Sequence, residues 1–250
     1  MDIRRRFLSK KSSGGDVDID TTYSIMYTNI AGNVLTPYST TAFGANIISN
    51  TYSNGRGIIT FDGPVTTIGE KAFYNCTTLE SVTIPNSVTS IGYRAFKSCT
   101  SLLNVIIPDG VTSIGKEAFE SCTLLFNVPI PNSVTSISDY AFRHCSGLTS
   151  VTIGNSVTSI GFQTFYDCSL LKSITIPESV TSIGAAAFYA CRKLATVYCK
   201  PTTPPTLGGS SVFDSNASGR KIYVPSASVN AYKTATRWSS YADYIYGYNF

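Results

Sequence analysis

Apolar positions return along this chain on a beat of 23 residues, and two spacings alternate within each beat. In LESVTIP (79–85), Val82 and Ile84 point one way while Ser81 and Thr83 point the other, the period of a strand with one buried face. Pro85 ends that strand because it cannot donate to a ladder. Asn86-Ser87 turns the chain, and VTSI (88–91) predicts a second short extended piece with Val88 and Ile91 inward. Gly92 breaks the piece, and YRAFKSC (93–99) predicts about one helical or 3-10 turn that places Ala95, Phe96 and Cys99 inward.

The same phrase recurs in phase. Cysteines stand at 76, 99, 122, 145, 168 and 191, and phenylalanines keep the step at 73, 96, 119, 142, 165 and 188. Isoleucines at 68, 91, 114, 137, 160 and 183 and leucines at 79, 102, 125, 148, 171 and 194 do the same. Such columns mark a solenoid, in which no single coil can bury its apolar edge but stacked coils share a continuous core. At about 4.8 Å per coil, seven coils predict a parallel sheet roughly 34 Å long.

The unit L-x-x-V-x-I-P-x-x-V-x-x-I-G-x-x-A-F-x-x-C-x-x resembles the 23-residue class of leucine-rich repeat found in BspA-like bacterial surface proteins. The resemblance covers residues 57 to about 225. It implies a right-handed horseshoe or arc with parallel β-strands on the concave face and short strands and helical turns elsewhere. It also implies a non-catalytic protein-binding or adhesion module at the cell surface or secreted.

Both ends of a solenoid expose strand edges and need caps. YSIMYTNIAGNVLTPY (23–38) predicts two strands joined around Ala31-Gly32-Asn33, a hairpin over the first edge. GIITF (57–61) then leads into the first coil, with Ile59 and Phe61 as its inward pair. At the other end CKPTTPPTL (199–207) is a Pro-rich connection, SSVF (210–213) a last echo of the A-F turn and KIYVP (221–225) a final strand. SASVNAYKTATRW begins with a serine suited to cap a helix, and YADYIYGYNF ends with alternating aromatics, as a strand would have them. The expected division is a flexible basic tail over 1–20, an N-terminal capping hairpin region over 21–56, the solenoid over 57–225 (six regular repeats and one degenerate), and a C-terminal cap over 226–250.

Composition narrows the function. Charged residues make up 14% and hydrophobic ones 43%, which suits a folded chain. The net charge of +4 traces to Arg4, Arg5, Arg6, Lys10 and Lys11 against Asp2; beyond residue 11 basic and acidic residues balance. A neutral body argues against nucleic acid as a partner. The basic start lacks the apolar run of a signal peptide, so none is visible, and no apolar stretch is long enough for a membrane-spanning helix.

Candidate chemistry is sparse. Cysteines stacked in a ladder neither converge on a metal nor point at one another, so they read as buried structural thiols. The single histidine, His144, sits one residue before Cys145 at an outward position, which leaves the thiol no base. Asp16, Asp18 and Asp20 begin like a calcium loop, but Thr21 and Tyr27 stand where a glycine and a glutamate belong, so they read as solvated linker acids. No catalytic residue, cofactor or metal is expected.

The outward strand columns carry the variation. One runs Glu80, Leu103, Phe126, Thr149, Lys172, Ala195, and another Thr83, Ile106, Pro129, Thr152, Thr175, Tyr198. Leu103, Ile106, Phe126 and Pro129 fall on adjacent coils and predict an apolar patch near the middle of an otherwise polar concave sheet, the candidate partner-binding site. A second variable set, Tyr93, Tyr140, Phe162, Tyr166 and Tyr189, lies near the turn. Aromatic faces suit a host or surface protein and a glycan alike. The alternative role is structural, as a spacer or assembly component of a particle encoded by a mobile element.

Overall fold

The computed structural model describes residues 21–250. The basic tail and the acidic triplet at 16, 18 and 20 lie outside those residues.

Each coil of the body contributes a two-residue strand and a longer one. In chain order these are β4 (Thr67–Ile68) and β5 (Leu79–Thr83), β6 (Ser90–Ile91) and β7 (Asn104–Ile106), β8 (Ser113–Ile114) and β9 (Asn127–Pro129). They continue as β10 (Ser136–Ile137) and β11 (Ser150–Thr152), β12 (Ser159–Ile160) and β13 (Ser173–Ile176), β14 (Ser182–Ile183) and β15 (Thr196–Cys199), then β16 (Thr206–Leu207) and β17 (Lys221–Pro225). The two-residue strands form one parallel sheet in the order β16-β14-β12-β10-β8-β6-β4. Long strands pair in parallel with neighbours one coil away, as Val82 with Val105 and Val151 with Val128. The chain is a leucine-rich repeat solenoid, and the alternation in each long strand is the one expected: Val82 and Ile84 are buried, Ser81 and Thr83 are not.

The segment that holds the A-F pair forms a series of tight turns instead of a helical turn. The amides of Ala95, Lys97 and Cys99 donate three residues back within the coil (3.3, 3.2 and 3.1 Å). Those between them, on Arg94, Phe96 and Ser98, donate to Lys116, Ala118 and Glu120 of the next coil (3.1, 2.7 and 2.8 Å). Handing alternate donors to a neighbour requires reversals, and Arg94 and Ser98 supply them with φ of +55° and +62°. The same two columns are left-handed in the following coils, at Glu117 and Ser121, Tyr140 and His144, and Gln163 and Asp167. The turns therefore stitch coils together much as a third ladder would.

Between the ladders lies the core. Phe73, Phe96, Phe119, Phe142, Phe165, Phe188 and Phe213 stack with centroids 5.1–5.5 Å apart and planes within 11° of parallel. Phe43 meets the first ring edge-on at 5.6 Å, and Tyr241 meets the last at 5.6 Å and 79°. An edge-on ring satisfies the exposed face of a stack that has no further member, so the column is closed by aromatic residues from outside the repeat.

The N-terminal strands correct the expected hairpin. β1 (Ser24–Asn29) is not followed by a strand before Tyr38; β2 (Ile47–Ser53) and β3 (Arg56–Phe61) form the hairpin, joined through Asn54 (φ +51°) and Gly55 (φ +77°). Asn-Gly is the stronger signal, because a two-residue hairpin loop needs two left-handed residues in a row. β1 then inserts between β3 and β5, antiparallel to both, so the long-strand sheet runs β11-β9-β7-β5-β1-β3-β2. Tyr27 explains the fit: a Cβ on Gly57, its cross-strand partner, would sit 1.9 Å from the Tyr27 ring. Its hydroxyl donates to Asn50 (2.9 Å) and accepts from the Leu35 amide (3.0 Å).

At the C-terminal end a second, four-stranded sheet runs β13-β15-β17-β18, where β18 spans Ile245–Tyr248. The helix α1 (Val229–Thr234) is short, and its N-terminal Ser228 makes no side-chain cap. The expected capping serine, Ser226, donates instead to Asn249 (2.8 Å). Tyr232 and Trp238 pack edge-to-face (4.9 Å) beneath the last coil.

Candidate interaction surface

The repeat register brings the four candidate residues together. The amide of Leu103 donates to Glu80 (3.0 Å), that of Phe126 to Leu103 (3.2 Å) and that of Thr149 to Phe126 (2.9 Å), which fixes one column as neighbours. Ile106 pairs with Thr83, and Pro129 with Thr152, in the other column. Pro129 has no amide to donate, and β7 and β9 register at the single pair Asn104 and Asn127. Leu103, Ile106 and Phe126 are 39%, 45% and 42% exposed, and Pro129 is exposed beside them. Glu80, the charge closest in the column, accepts a hydrogen bond from Thr28 (3.0 Å).

Two further apolar side chains lie on the same face, across Thr83 of β5 from Ile106. Met26 of β1 pairs with Thr83 on one side and with Ile58 of β3 on the other, and both are half-buried. Column counting missed them, because only the insertion of β1 places them beside the repeat. The surface is also not otherwise polar. At its far end Tyr198, Tyr223, Tyr246, Tyr248 and Phe250 gather, a group whose spacing in the sequence follows no common period.

The turn flank differs in chemistry. Glu117 and Glu120 are buried side by side, with Arg94 Nε 2.7 Å from Glu117 and Lys97 Nζ 2.7 Å from Glu117 and 2.8 Å from Glu120. Burial by itself pushes the Glu117 carboxyl up, but the hydrogen bonds from Arg94 and Lys97 outweigh it and bring it down to about 2. Four of the five predicted turn aromatics pair, Tyr140 meeting Phe162 edge-on at 5.2 Å and Tyr166 stacking on Tyr189 at 5.2 Å, while Tyr93 lies against the Arg94 guanidinium at 4.6 Å. Arg143 lies 5.4 Å from the Tyr140 and Tyr166 rings. Beyond them a shallow depression of about 470 Å³ is lined by His144, Tyr166, Asp167, Tyr189 and Arg192.

The thiols do structural work. From Cys99 to Cys191 the Sγ donates to the phenylalanine carbonyl of the preceding coil, Cys99 to Phe73, Cys122 to Phe96, Cys145 to Phe119, Cys168 to Phe142 and Cys191 to Phe165, at 3.0–3.3 Å. Cys76 donates to the Thr36 carbonyl, and Cys199 pairs with the Tyr232 hydroxyl. All seven cysteines are free, and burial pushes Cys145 and Cys191 up to about 12. In the degenerate coil Asn216 takes the thiol's place, its Nδ2 donating to the Phe188 carbonyl at 2.8 Å. The spacing F-x-x-N at 213–216 was a legible sign of this that column counting passed over. His144 points away from its neighbour Cys145 and meets Asp167 at 3.3 Å. Among the described residues no cluster of three metal-ligating side chains occurs, and no helix is long and apolar enough to cross a membrane.

A sequence model of the BspA type leucine rich repeat region matches residues 45–170 and 135–236, in six copies. No curated protein matches the chain. Among solved structures it is similar to a leucine-rich repeat protein from Bacteroides ovatus, at 29% identity over 64% of this chain and 53% of that one, with a TM-score of 0.43. It is also similar to a leucine rich cell surface protein from Faecalibacterium prausnitzii, at 24% identity over 74% of this chain and 62% of that one, with a TM-score of 0.45. The T. pallidum leucine rich repeat protein is 27% identical over 65% of this chain and 67% of that one, with a TM-score of 0.40. The chain thus spans less than two thirds of the length of the first two.

Proposed function

The chain belongs to the BspA-type leucine-rich repeat family, and from that premise we propose that it is a non-catalytic interaction module whose long-strand face, the concave one in such solenoids, engages a protein partner. The observation that carries the reading is the contiguous apolar row of Leu103, Ile106, Phe126 and Pro129, left open on two adjacent coils while the next coils present Thr149, Thr152 and Thr175. Contiguous exposed apolar area often marks an interaction site. Adhesion to a host or surface protein, from the cell surface, is the role that family membership favours. The segments 21–56 and 226–250 act as caps that shield the ends of the stack.

The test is binding to immobilised host matrix proteins by wild type and by Phe126→Asp. The substitution is at an exposed position and leaves stability within about 0.5 kcal/mol. It is expected to weaken binding at least about tenfold, the scale of one interface anchor. Unchanged binding would remove the patch from the partner site.

A structural or assembly role is the second reading. What favours it is that the outermost strands of the long-strand face, β2 (IISNTYS) and β18 (IYGY), carry no charged residue to blunt an edge. A defined oligomer by light scattering, together with no affinity for matrix proteins, would decide for it.

A further inference from the structure

The C-terminal end of the long-strand face carries a second surface of different chemistry. Its outward positions are Tyr198 on β15, Tyr223 on β17, and Tyr246 and Tyr248 on β18, with Phe250 against them. Tyr198 and Tyr223 stack at 5.4 Å, and Tyr248 meets Tyr198 at 5.5 Å and 65°. Tyr246, Tyr248 and Phe250 nevertheless remain 44%, 43% and 50% exposed. In the coils just before, the column of Tyr198 holds Thr152 and Thr175, so the strand geometry does not call for rings there.

Positive charge accompanies the rings. Lys200 Nζ lies 5.8 Å from the Phe250 centroid and Lys221 Nζ 5.7 Å from that of Tyr246. The neutral body proves to be polarised. Residues 171–250 hold eight Lys/Arg against three Asp/Glu, whereas residues 21–170 hold six against eight. Beside the rings the outward residues include Lys172, Ser173, Thr175 and Thr196, which are cationic or bear hydroxyls, together with the small Ala195.

We infer that this end of the face binds an anionic polysaccharide. The exposed rings stack on the C–H faces of the sugars, the tyrosine and threonine hydroxyls exchange hydrogen bonds with sugar hydroxyls, and Lys200 and Lys221 pair with carboxylates along the chain. A single nucleic-acid strand puts a charge on every nucleotide, which a few lysines and no arginine on this face do not match. An acidic peptide would use the lysines and leave the rings without a partner. The site is separate from the β7–β9 patch and stands or falls independently of it.

Affinity electrophoresis of the whole chain through gels containing polygalacturonate tests this, with dextran as the neutral sugar and polyglutamate and oligo-dT as anions that are not polysaccharides. Retardation by polygalacturonate alone is expected. Lys200→Glu with Lys221→Glu, and separately Tyr246→Ala with Tyr248→Ala, are each expected to weaken it about tenfold or more, with circular dichroism confirming the fold. Phe126→Asp is expected to leave it unchanged. The assignment is overturned by no retardation, by equal retardation in polyglutamate or oligo-dT, or by sensitivity to the lysine pair without the tyrosine pair. Loss of retardation in Phe126→Asp would move the glycan to the other patch and overturn it as well.

Discussion

The cysteine column shows how one side chain satisfies two demands. The position must fill a small apolar volume and also give a second hydrogen bond to a carbonyl that already accepts one tight-turn amide, and a thiol does both. Asn216 supplies only the second, and it stands at the half-buried end of the array where volume matters less. Cys122→Ala is expected to lose about 1–2 kcal/mol, read from urea unfolding, because it leaves a void and removes the second donor to the Phe96 carbonyl, which keeps only the Cys99 amide. The native protein should resist iodoacetamide at pH 8, since burial keeps these thiols protonated, and should label fully once unfolded. Glu117 gives the fold an acid limb. Its carboxyl lies at about 2 in the folded chain against an ordinary 4.5, so it contributes stability above pH 4.5 that is lost as pH falls towards 2. Glu117→Gln should flatten that part of a plot of unfolding midpoint against pH; an unchanged slope would show that the Arg94 and Lys97 contacts carry no net stability.

At the scale of the coil, close backbone approach sets which residues cannot vary. A Cβ on Gly115 would lie 2.7 Å from the Gly92 carbonyl carbon, and one on Gly184 would lie 2.4 Å from that of Gly161. These glycines are required by the coil beneath them, since no positive φ occurs there. Gly115→Ala should cost about 1–3 kcal/mol, as overpacking does, with the loss visible as a lower thermal midpoint. The turns place a complementary demand on backbone angle. Residues such as Ser121 and His144 hold left-handed conformations at some energetic cost because their amides must reach the next coil.

Across the whole molecule, contacts are chiefly between neighbouring coils, so stability approximates a sum of coil and interface contributions. Deleting residues 148–170 removes one full beat and returns Leu171 to the place of Leu148. The shortened chain is expected to fold, to keep a single cooperative transition, and to lose no more than about 10 °C in midpoint. Deleting half a beat should abolish folding, because every inward residue would turn out of register with the stack. The long-strand face is then best described as two ends joined by a polar middle: an apolar row over β7 and β9 with Met26 of β1 beyond Thr83, and a cationic aromatic group over β15, β17 and β18.

Most of the architecture was legible because burial repeats. Any residue that faces the core in one coil must do so in the next, so the columns of Phe, Ile, Leu and Cys announced both the coil and its inward face. The apolar patch was legible for the converse reason, as a departure from the small polar residues of the outward columns. What tertiary structure alone decided lies where the beat is absent. Two antiparallel strands hydrogen-bond to any edge of suitable length, so no local pattern told β1 to insert between β3 and β5 and carry Met26 to the face that holds the patch. The turn segment reads as helical from the spacing of Ala95, Phe96 and Cys99, but its donors are shared with a coil 23 residues away, a partnership invisible in a short window. Tyr198, Tyr223, Tyr246 and Tyr248 are likewise scattered over 51 positions and become one surface because parallel pairing sets their strands side by side.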